Sequence, residues 1–352
     1  MTGGGPTRPE SSMQDVADRA GVSVSTVSRA LRQSPLVSAD TRTRVLAAAA
    51  ELSFAVSRAA SSLASGKLGR VAVLVSGSLG AWFNGSILDG VYAALHDEGL
   101  ELLIYRIGDV TDRAQFFATL PARRNADALI VASFALTAAE HERLRQLSMP
   151  LVYLNQQVPG ATSVSIDDEA GARAGTRHLL DLGHRDIAFA GLGTSTGFFF
   201  SAARRIDGFR AELRGAGIPG ADSPPLLADS VADGEQVMAQ FLAADVPPTA
   251  LMTESDELAM SVMAACNRMG LRVPDDVSVL GFDDHALAAT FGLSTLAQPV
   301  DLLGRRAAAL AVGLAEERSP GADAAVPVEL VLPTRLMLRG STARPRRTAG
   351  GS

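Results

Sequence analysis

The run Asp15-Val16-Ala17-Asp18-Arg19-Ala20-Gly21-Val22-Ser23-Val24-Ser25-Thr26-Val27-Ser28-Arg29-Ala30-Leu31 decides how the N-terminal region folds. Met13, Val16, Ala17 and Ala20 recur at helical spacing, Ser12 stands where an N-cap belongs, and Asp15 puts negative charge in the first turn. Gly21 permits a left-handed turn, and Ser23 caps a second helix at 24–31 whose apolar positions Val27, Ala30 and Leu31 fall together. A third helix is expected from the Ser38 cap through residue 52, with Val45, Ala48, Ala49 and Leu52 inward. Two short helices about a glycine turn, closed by a third, make a helix-turn-helix. On the second helix Ser25, Ser28, Arg29 and Arg32 point away from that core, with Ser25 and Arg29 stacked at i, i+4. Arginine forks onto guanine O6 and N7 in the major groove, and small hydroxyls suit phosphates. The face therefore reads as a DNA-binding surface, with an ordinary solvated helix face as the alternative.

Charge along the chain favours the first reading. The 352 residues carry a net charge of −6, but residues 1–68 sum to +3 and the remainder to −9. A small basic module on an acidic body suits a polyanion at one end only. An apolar fraction of 47% with 20% charged residues is that of a folding, soluble chain, and the length calls for two or three cores. Cys266 is the only cysteine, which excludes an internal disulfide and any multi-cysteine zinc site and leaves a buried, inert thiol as the expectation. The N-terminus MTGGGPTRPE has no signal pattern, and no run of roughly 18 apolar residues follows. A cytoplasmic protein with no membrane contact is expected.

The opening run, continued by Val37-Ser38, Thr41-Arg42 and Val45, closely resembles the signature of the lactose-repressor (LacI/GalR) family. The resemblance implies a homodimeric transcription repressor. It puts Val24, Ser25 and Arg29 on base-reading positions, and Thr26 and Ser28 on phosphate-contacting ones. Residues 54–69 look like the family's hinge, a short helix that forms on operator and wedges a leucine, here Leu63, into the minor groove. Val56, Ser57 and Ser61 replace the usual proline, asparagine and arginine of that hinge. The partner so implied is a pseudo-palindromic operator with a central CG step.

From Arg70 onward, short β-branched runs alternate with helical stretches: 71–75, 102–105, 128–131, 151–154, 163–166, 187–190, 250–253 and 277–281. Such alternation means parallel sheets sandwiched by helices, with ligands at the carboxyl ends of the strands. Val164-Ser165-Ile166-Asp167-Asp168-Glu169-Ala170-Gly171, Arg205-Ile206-Asp207-Gly208-Phe209 and Gly281-Phe282-Asp283-Asp284 resemble the same family's sensor, a two-lobed α/β, periplasmic-binding-protein-like (type I) effector domain. The organisation expected is a disordered tail at 1–11, an all-α helix-turn-helix domain at 12–56, a hinge at 57–69, the effector-binding and dimerisation domain at 70–343, and a disordered tail at 344–352. Within the large domain the N-lobe is expected at 70–167 and 298–326, and the C-lobe at 168–297 and 327–343.

By the same resemblance Arg205 and Asp283 hydrogen-bond the effector. A guanidinium and a carboxylate facing one cleft suit a polyol, so a carbohydrate is expected. The resemblance also puts Trp82, Phe83, Asn155 and Ser255 at the effector cleft, where Asn155 stands at a position often acidic in the family, Ser255 where asparagine is common, and Ala81-Trp82 replaces Asn-Pro beside Phe83. Trp82, Phe83 and Phe198-Phe199-Phe200 suit stacking on a sugar ring, with core or interlobe packing as the alternative for each. Most relatives are released from DNA by effector, so induction is the default.

Two other classes compete. Gly193-Thr194-Ser195-Thr196-Gly197 fits a G-x-S-x-G nucleophile elbow, followed by Asp283 or Asp284 and His285 in hydrolase order. An acid and a base on one loop leave the acid no place behind the histidine. A dinucleotide fingerprint fails because the third glycine comes at Gly197. A transport protein of the sensor fold would need export. No enzyme activity, cofactor or metal is expected.

Overall fold

A computed structural model describes residues 11–31, 34, 36–52, 54, 67–133, 135–193, 200–317 and 326–346. The chain divides into two compact units, Met1–Leu68 and Gly69–Ser352. In the first, α1 (Met13–Ala20) is opened by a capping box: the Ser12 hydroxyl accepts from the Asp15 amide, and the Asp15 carboxylate accepts from the Ser12 amide. Gly21 closes it at φ 66°, a conformation that a side chain would disfavour. Ser23 Oγ accepts from the Thr26 amide at the start of α2 (Val24–Leu31), and Ser38 caps α3 (Ala39–Glu51). Leu52 is the C-cap of α3 rather than its last helical residue. Val16, Ala17, Val27, Ala30, Val45, Ala48 and Ala49 bury into one small core, where short side chains let three short helices approach closely.

The second unit alternates strand and helix. Its elements begin β1 (Arg70–Ser76), α4 (Trp82–Asp97), β2 (Glu101–Ile107), α5 (Val110–Thr119), α6 (Ala122–Asn125) and β3 (Ala128–Ala132). They continue through α7 (Ala138–Arg145), β4 (Leu151–Leu154), β5 (Ser163–Ile166), α8 (Asp168–Asp181), β6 (Ile187–Leu192) and α9 (Phe200–Gly215). Next come β7 (Leu226–Ala228), α10 (Gly234–Leu242), β8 (Ala250–Thr253), α11 (Asp256–Arg268) and β9 (Ser278–Asp283). The unit ends with β10 (Ser294–Ala297), α12 (Val300–Glu317), β11 (Glu329–Leu332) and β12 (Arg335–Met337). These strands form two six-stranded sheets, ordered β11-β5-β4-β3-β1-β2 and β12-β10-β9-β8-β6-β7. All pairings are parallel except β10 with β12. Helices cover both faces, so central strands such as β3 are buried at every residue and read as continuous apolar runs.

Each sheet is the floor of one lobe, and the chain crosses between lobes at Asp167, at Gln298-Pro299 and at Pro333-Thr334. The third crossing corrects an expected limit: residues 327–332, expected in the C-lobe, belong with the N-lobe, because β11 pairs with β5 from Glu329 opposite Ser163 to Leu332 opposite Ile166. Two short strands with only one residue pair between them, Pro333-Thr334, gave no local sign of which sheet each would join. In the N-lobe α4 and α12 meet backbone to backbone, since a Cβ on Gly90 would lie 2.2 Å from the carbonyl oxygen of Asp301. Cys266 is buried at α11, and burial pushes its thiol up to about 11, so it stays unreactive near neutral pH.

Candidate functional site

On α2, Ser25 and Arg29 are exposed on one face, while Val24, Thr26 and Ser28 are half-buried. Ser23 Oγ lies 2.9 Å from both Ser25 Oγ and Thr26 Oγ1, a cluster of hydroxyls at the positive end of the helix. Phosphate oxygens bind well at such an end. Val24 packs partly against the three-helix core, which leaves it less free than Ser25 and Arg29. Beneath the loop that follows α2, Arg42 Nη2 donates to the Ser34 carbonyl at 2.9 Å and fixes the turn into α3. Leu63, with Val56, Ser57 and Ser61, lies outside the described residues.

In the second unit backbone strain marks the site. Six described residues other than glycine have positive φ, and four of them sit at the carboxyl ends of strands: Ser133 after β3, Asn155 after β4, and Asp283 and Asp284 at β9. Strain held at strand ends turned toward a cleft costs about 1–3 kcal/mol per residue and persists where function is placed. Asp283, at φ 125°, brings its carboxylate to Arg205 on α9. Arg205 is 6% exposed. Its Nε donates to Asp168 Oδ1 at 2.8 Å, and its Nη1 donates to the Glu254 carbonyl and to Asp283 Oδ1 at 3.5 Å. The guanidinium carbon lies 3.7 Å from the centre of the Phe282 ring. Gln298 Nε2 donates to the same Asp283 oxygen at 2.6 Å. Burial disfavours the charged guanidinium, but the carboxylates around it outweigh this and hold its pKa above the ordinary value. Burial raises Asp168 and Glu254 and pushes Asp283 up to about 7, against the pull of Arg205 on each.

Asp256 opens α11 just below. It is fully buried, with Oδ1 accepting from Thr295 Oγ1 at 2.6 Å and Oδ2 accepting from the His285 amide at 2.8 Å. Burial, with Asp283 nearby, pushes it up to about 8. A proton held more tightly in the folded chain lends stability that is complete below the ordinary value of 3.8 and is lost as pH rises toward 8. The slope is about 1.4 kcal/mol per pH unit. Asp256→Asn keeps an acceptor oxygen for the His285 amide and offers its Nδ2 to the Thr295 hydroxyl, which can accept, so it should flatten the decline between pH 5 and pH 8, read as the difference between the two proteins in urea unfolding. Parallel curves for the two proteins would place the proton elsewhere.

The other expected cleft residues divide. Asn155 is buried and its Nδ2 donates across the lobes to Ser201 Oγ at 3.1 Å, and to Ser133 Oγ at 3.2 Å. Trp82, at the start of α4 in the N-lobe, meets His285 of the C-lobe with ring centroids 4.9 Å apart. Phe83 is half-buried against the main core. The Ser255 hydroxyl accepts from the Leu258 amide at 3.4 Å as the cap of α11, so the ring of carboxylates forms without it. Sequence reasoning missed Asp168, Glu254, Gln298 and Ser165 as site residues. Asp168 lay inside a quoted motif, whereas nothing local marks Gln298, which depends on the second crossing for its place. Residues 194–199, including Ser195, Phe198 and Phe199, are outside the described residues, as is the side chain of Phe200. Neither acid stands behind His285: Asp283 is held by Arg205 and Gln298, Asp284 Oδ1 accepts from Arg339 at 2.6 Å, and His285 Nδ1 accepts from the Leu287 amide. Among the described residues no cluster of three or more His, Cys, Asp or Glu side chains fits a metal ion, and no helix is long and apolar enough to cross a membrane.

Residues 12–57 match the family model of bacterial regulatory proteins, lacI family, and residues 176–342 match that of a periplasmic binding protein-like domain. The HTH-type transcriptional repressor PurR of Vibrio parahaemolyticus is 30% identical over 303 residues, covering 84% of this chain and 89% of PurR. The Lac repressor dimer bound to operator and the anti-inducer ONPF has a TM-score of 0.81 at 28% identity, covering 95% of this chain and 99% of that one. The CelR–cellobiose complex has a TM-score of 0.69 at 28% identity, covering 95% and 100%. A helix-turn-helix followed by a two-sheet, type I periplasmic-binding-protein-like unit is the fold shared with the Lac repressor.

Proposed function

The chain belongs to the lacI family of bacterial regulatory proteins, and we propose that it is a dimeric transcription repressor whose grip on operator DNA is set by a sugar held between its two lobes. The observation that carries the sugar reading is the buried contact of Arg205 on α9 with Asp283 at the end of β9, a donor and an acceptor held side by side. Hydroxyl groups need both. That the CelR structure holds cellobiose supports the same choice.

Each protomer lays residues 24–31 in a major groove, with Val24, Ser25 and Arg29 toward base edges and Thr26 and Ser28 toward phosphates. Two-fold symmetry then requires a pseudo-palindromic operator, whose central CG step two Leu63 side chains part. The Lac repressor dimer on its operator supports this arrangement. The domain limits at 12–56, 57–69 and 70–343 belong to the same proposal. Coupling runs through the start of the second unit, where the Gly69 and Arg70 amides donate to Asp127 Oδ2 at 2.6 and 3.2 Å. Effector shifts the balance of open and closed lobes, that anchor moves with the N-lobe, and operator is released.

Arg29→Ala is expected to lower operator affinity by about 1–3 kcal/mol while sparing the salt-dependent binding to scrambled duplex. Fluorescence anisotropy on the two duplexes measures both. An equal loss on each would make Arg29 a phosphate contact only.

A further inference from the structure

Three polar atoms around the cleft are buried and have no hydrogen-bond partner among the described residues: Asn155 Oδ1, Ser165 Oγ and Gln298 Oε1. Their residues are only 4%, 2% and 6% exposed. A buried polar atom without a partner is costly, and a native chain keeps one where something else supplies the bond. Asn155 and Ser165 line one small cavity together with Asp168 and Arg204. Gln298 adjoins it through Asp283 and the Arg205–Asp168 pair. The orientation of Gln298 is set, because its Nε2 faces the Asp283 carboxylate, which leaves its Oε1 as an acceptor waiting for a donor. Charge sharpens the demand. One buried guanidinium stands among Asp168, Glu254 and Asp283, and the arginine at the cavity wall, Arg204, is already paired with Glu169 at 3.1 Å.

We propose that the cleft takes an uncharged polyhydroxy compound and rejects its phosphorylated or carboxylated counterparts. The inference rests on the reading of this cleft as the effector site and narrows its ligand. Hydroxyl groups donate to the two amide oxygens and exchange bonds with Ser165. A phosphate or carboxylate brings no donor to the two amide oxygens, can take only the one bond that Ser165 donates, and meets a surplus of carboxylates. An ammonium group finds no idle partner either, since Asp168 and Asp283 are engaged by Arg205 and Gln298.

The test uses the full chain and its only tryptophan, Trp82, whose ring spans the two lobes and reports on the cleft. Cellobiose, glucose and ribose are titrated beside glucose 6-phosphate, ribose 5-phosphate and inorganic phosphate, with Trp82 emission, melting temperature and operator binding read together. A neutral sugar should change the emission and raise the melting temperature, while the phosphates do neither. A phosphate compound that acts where its neutral counterpart does not overturns the proposal. Ser165→Ala supplies a ligand-free arm: removing an unpaired buried hydroxyl should raise the melting temperature by about 2–4 °C. It should also weaken the response to the active sugar about tenfold. A lower melting temperature means that the hydroxyl already has a partner, and the proposal falls. If a neutral sugar moves Trp82 yet leaves operator affinity unchanged, the ligand class stands and the regulatory reading fails.

Discussion

Arg205→Ala is expected to lower the unfolding free energy of the α/β unit by about 3–5 kcal/mol and to abolish the response to effector. The magnitude comes from what the side chain leaves behind. Asp168 loses its Nε donor, the Glu254 carbonyl loses a hydrogen bond, and Asp283 keeps only Gln298, all within a water-poor wall beside Phe282. Arg205→Lys keeps a cation but not the fork that meets several partners at once, so it should recover part of the stability. Urea unfolding followed by circular dichroism measures the loss. A change under about 1 kcal/mol would show that the carboxylates find other partners or take up protons at no cost. The helix-turn-helix unit has its own core and should keep its helical signal throughout.

Gly281→Ala should destabilise the same unit by about 3 kcal/mol or more, an unusually large effect for a single added methyl group. A Cβ there would lie 2.0 Å from Asp256 Oδ1, inside the space of a buried carboxylate that also serves Thr295 and His285. Either Asp256 gives up those bonds or β9 moves, and β9 carries Asp283 two residues on. Effector affinity should therefore fall along with the melting temperature. A variant that loses stability but binds effector normally would separate the strand from the site.

Most of the fold was legible because local rules suffice for it. The caps Ser12, Ser23 and Ser38, the left-handed Gly21 and the inward valines and alanines are all set within a few residues. The buried parallel strands announced themselves as β-branched runs. The four strands that escaped notice, β7, β10, β11 and β12, are three or four residues long, and β11 and β12 depend on where the chain crosses between sheets. The site was half legible. Arg205 and Asp283 sit in motifs, but the arrangement that gives them meaning is made by Asp168, Glu254 and Gln298 from separate elements. Ser255 was read as facing the cleft, yet its hydroxyl caps its own helix. Trp82 meets a partner in the other lobe, which no spacing along the chain encodes.

The late pairing of β11 with β5 also bears on how the protein is made. Ser163–Ile166 leave the ribosome long before the strand that will flank them, since Val328 bonds back to Thr162 across 166 residues. At about 5–20 residues per second, that edge stays open for roughly 8–33 seconds of synthesis. An unpaired strand edge is a template for the wrong neighbour. All of the second lobe up to β10 is translated within that interval, so the first must wait, almost complete, for its last strand. Once in place β11 leaves little to copy: it is four residues long, begins with Glu329, and is bracketed by Pro327 and Pro333, which offer no amide hydrogen to a newcomer. The vulnerable period is confined to biosynthesis, where dependence on chaperones should be greatest for variants that slow translation or weaken the N-lobe core.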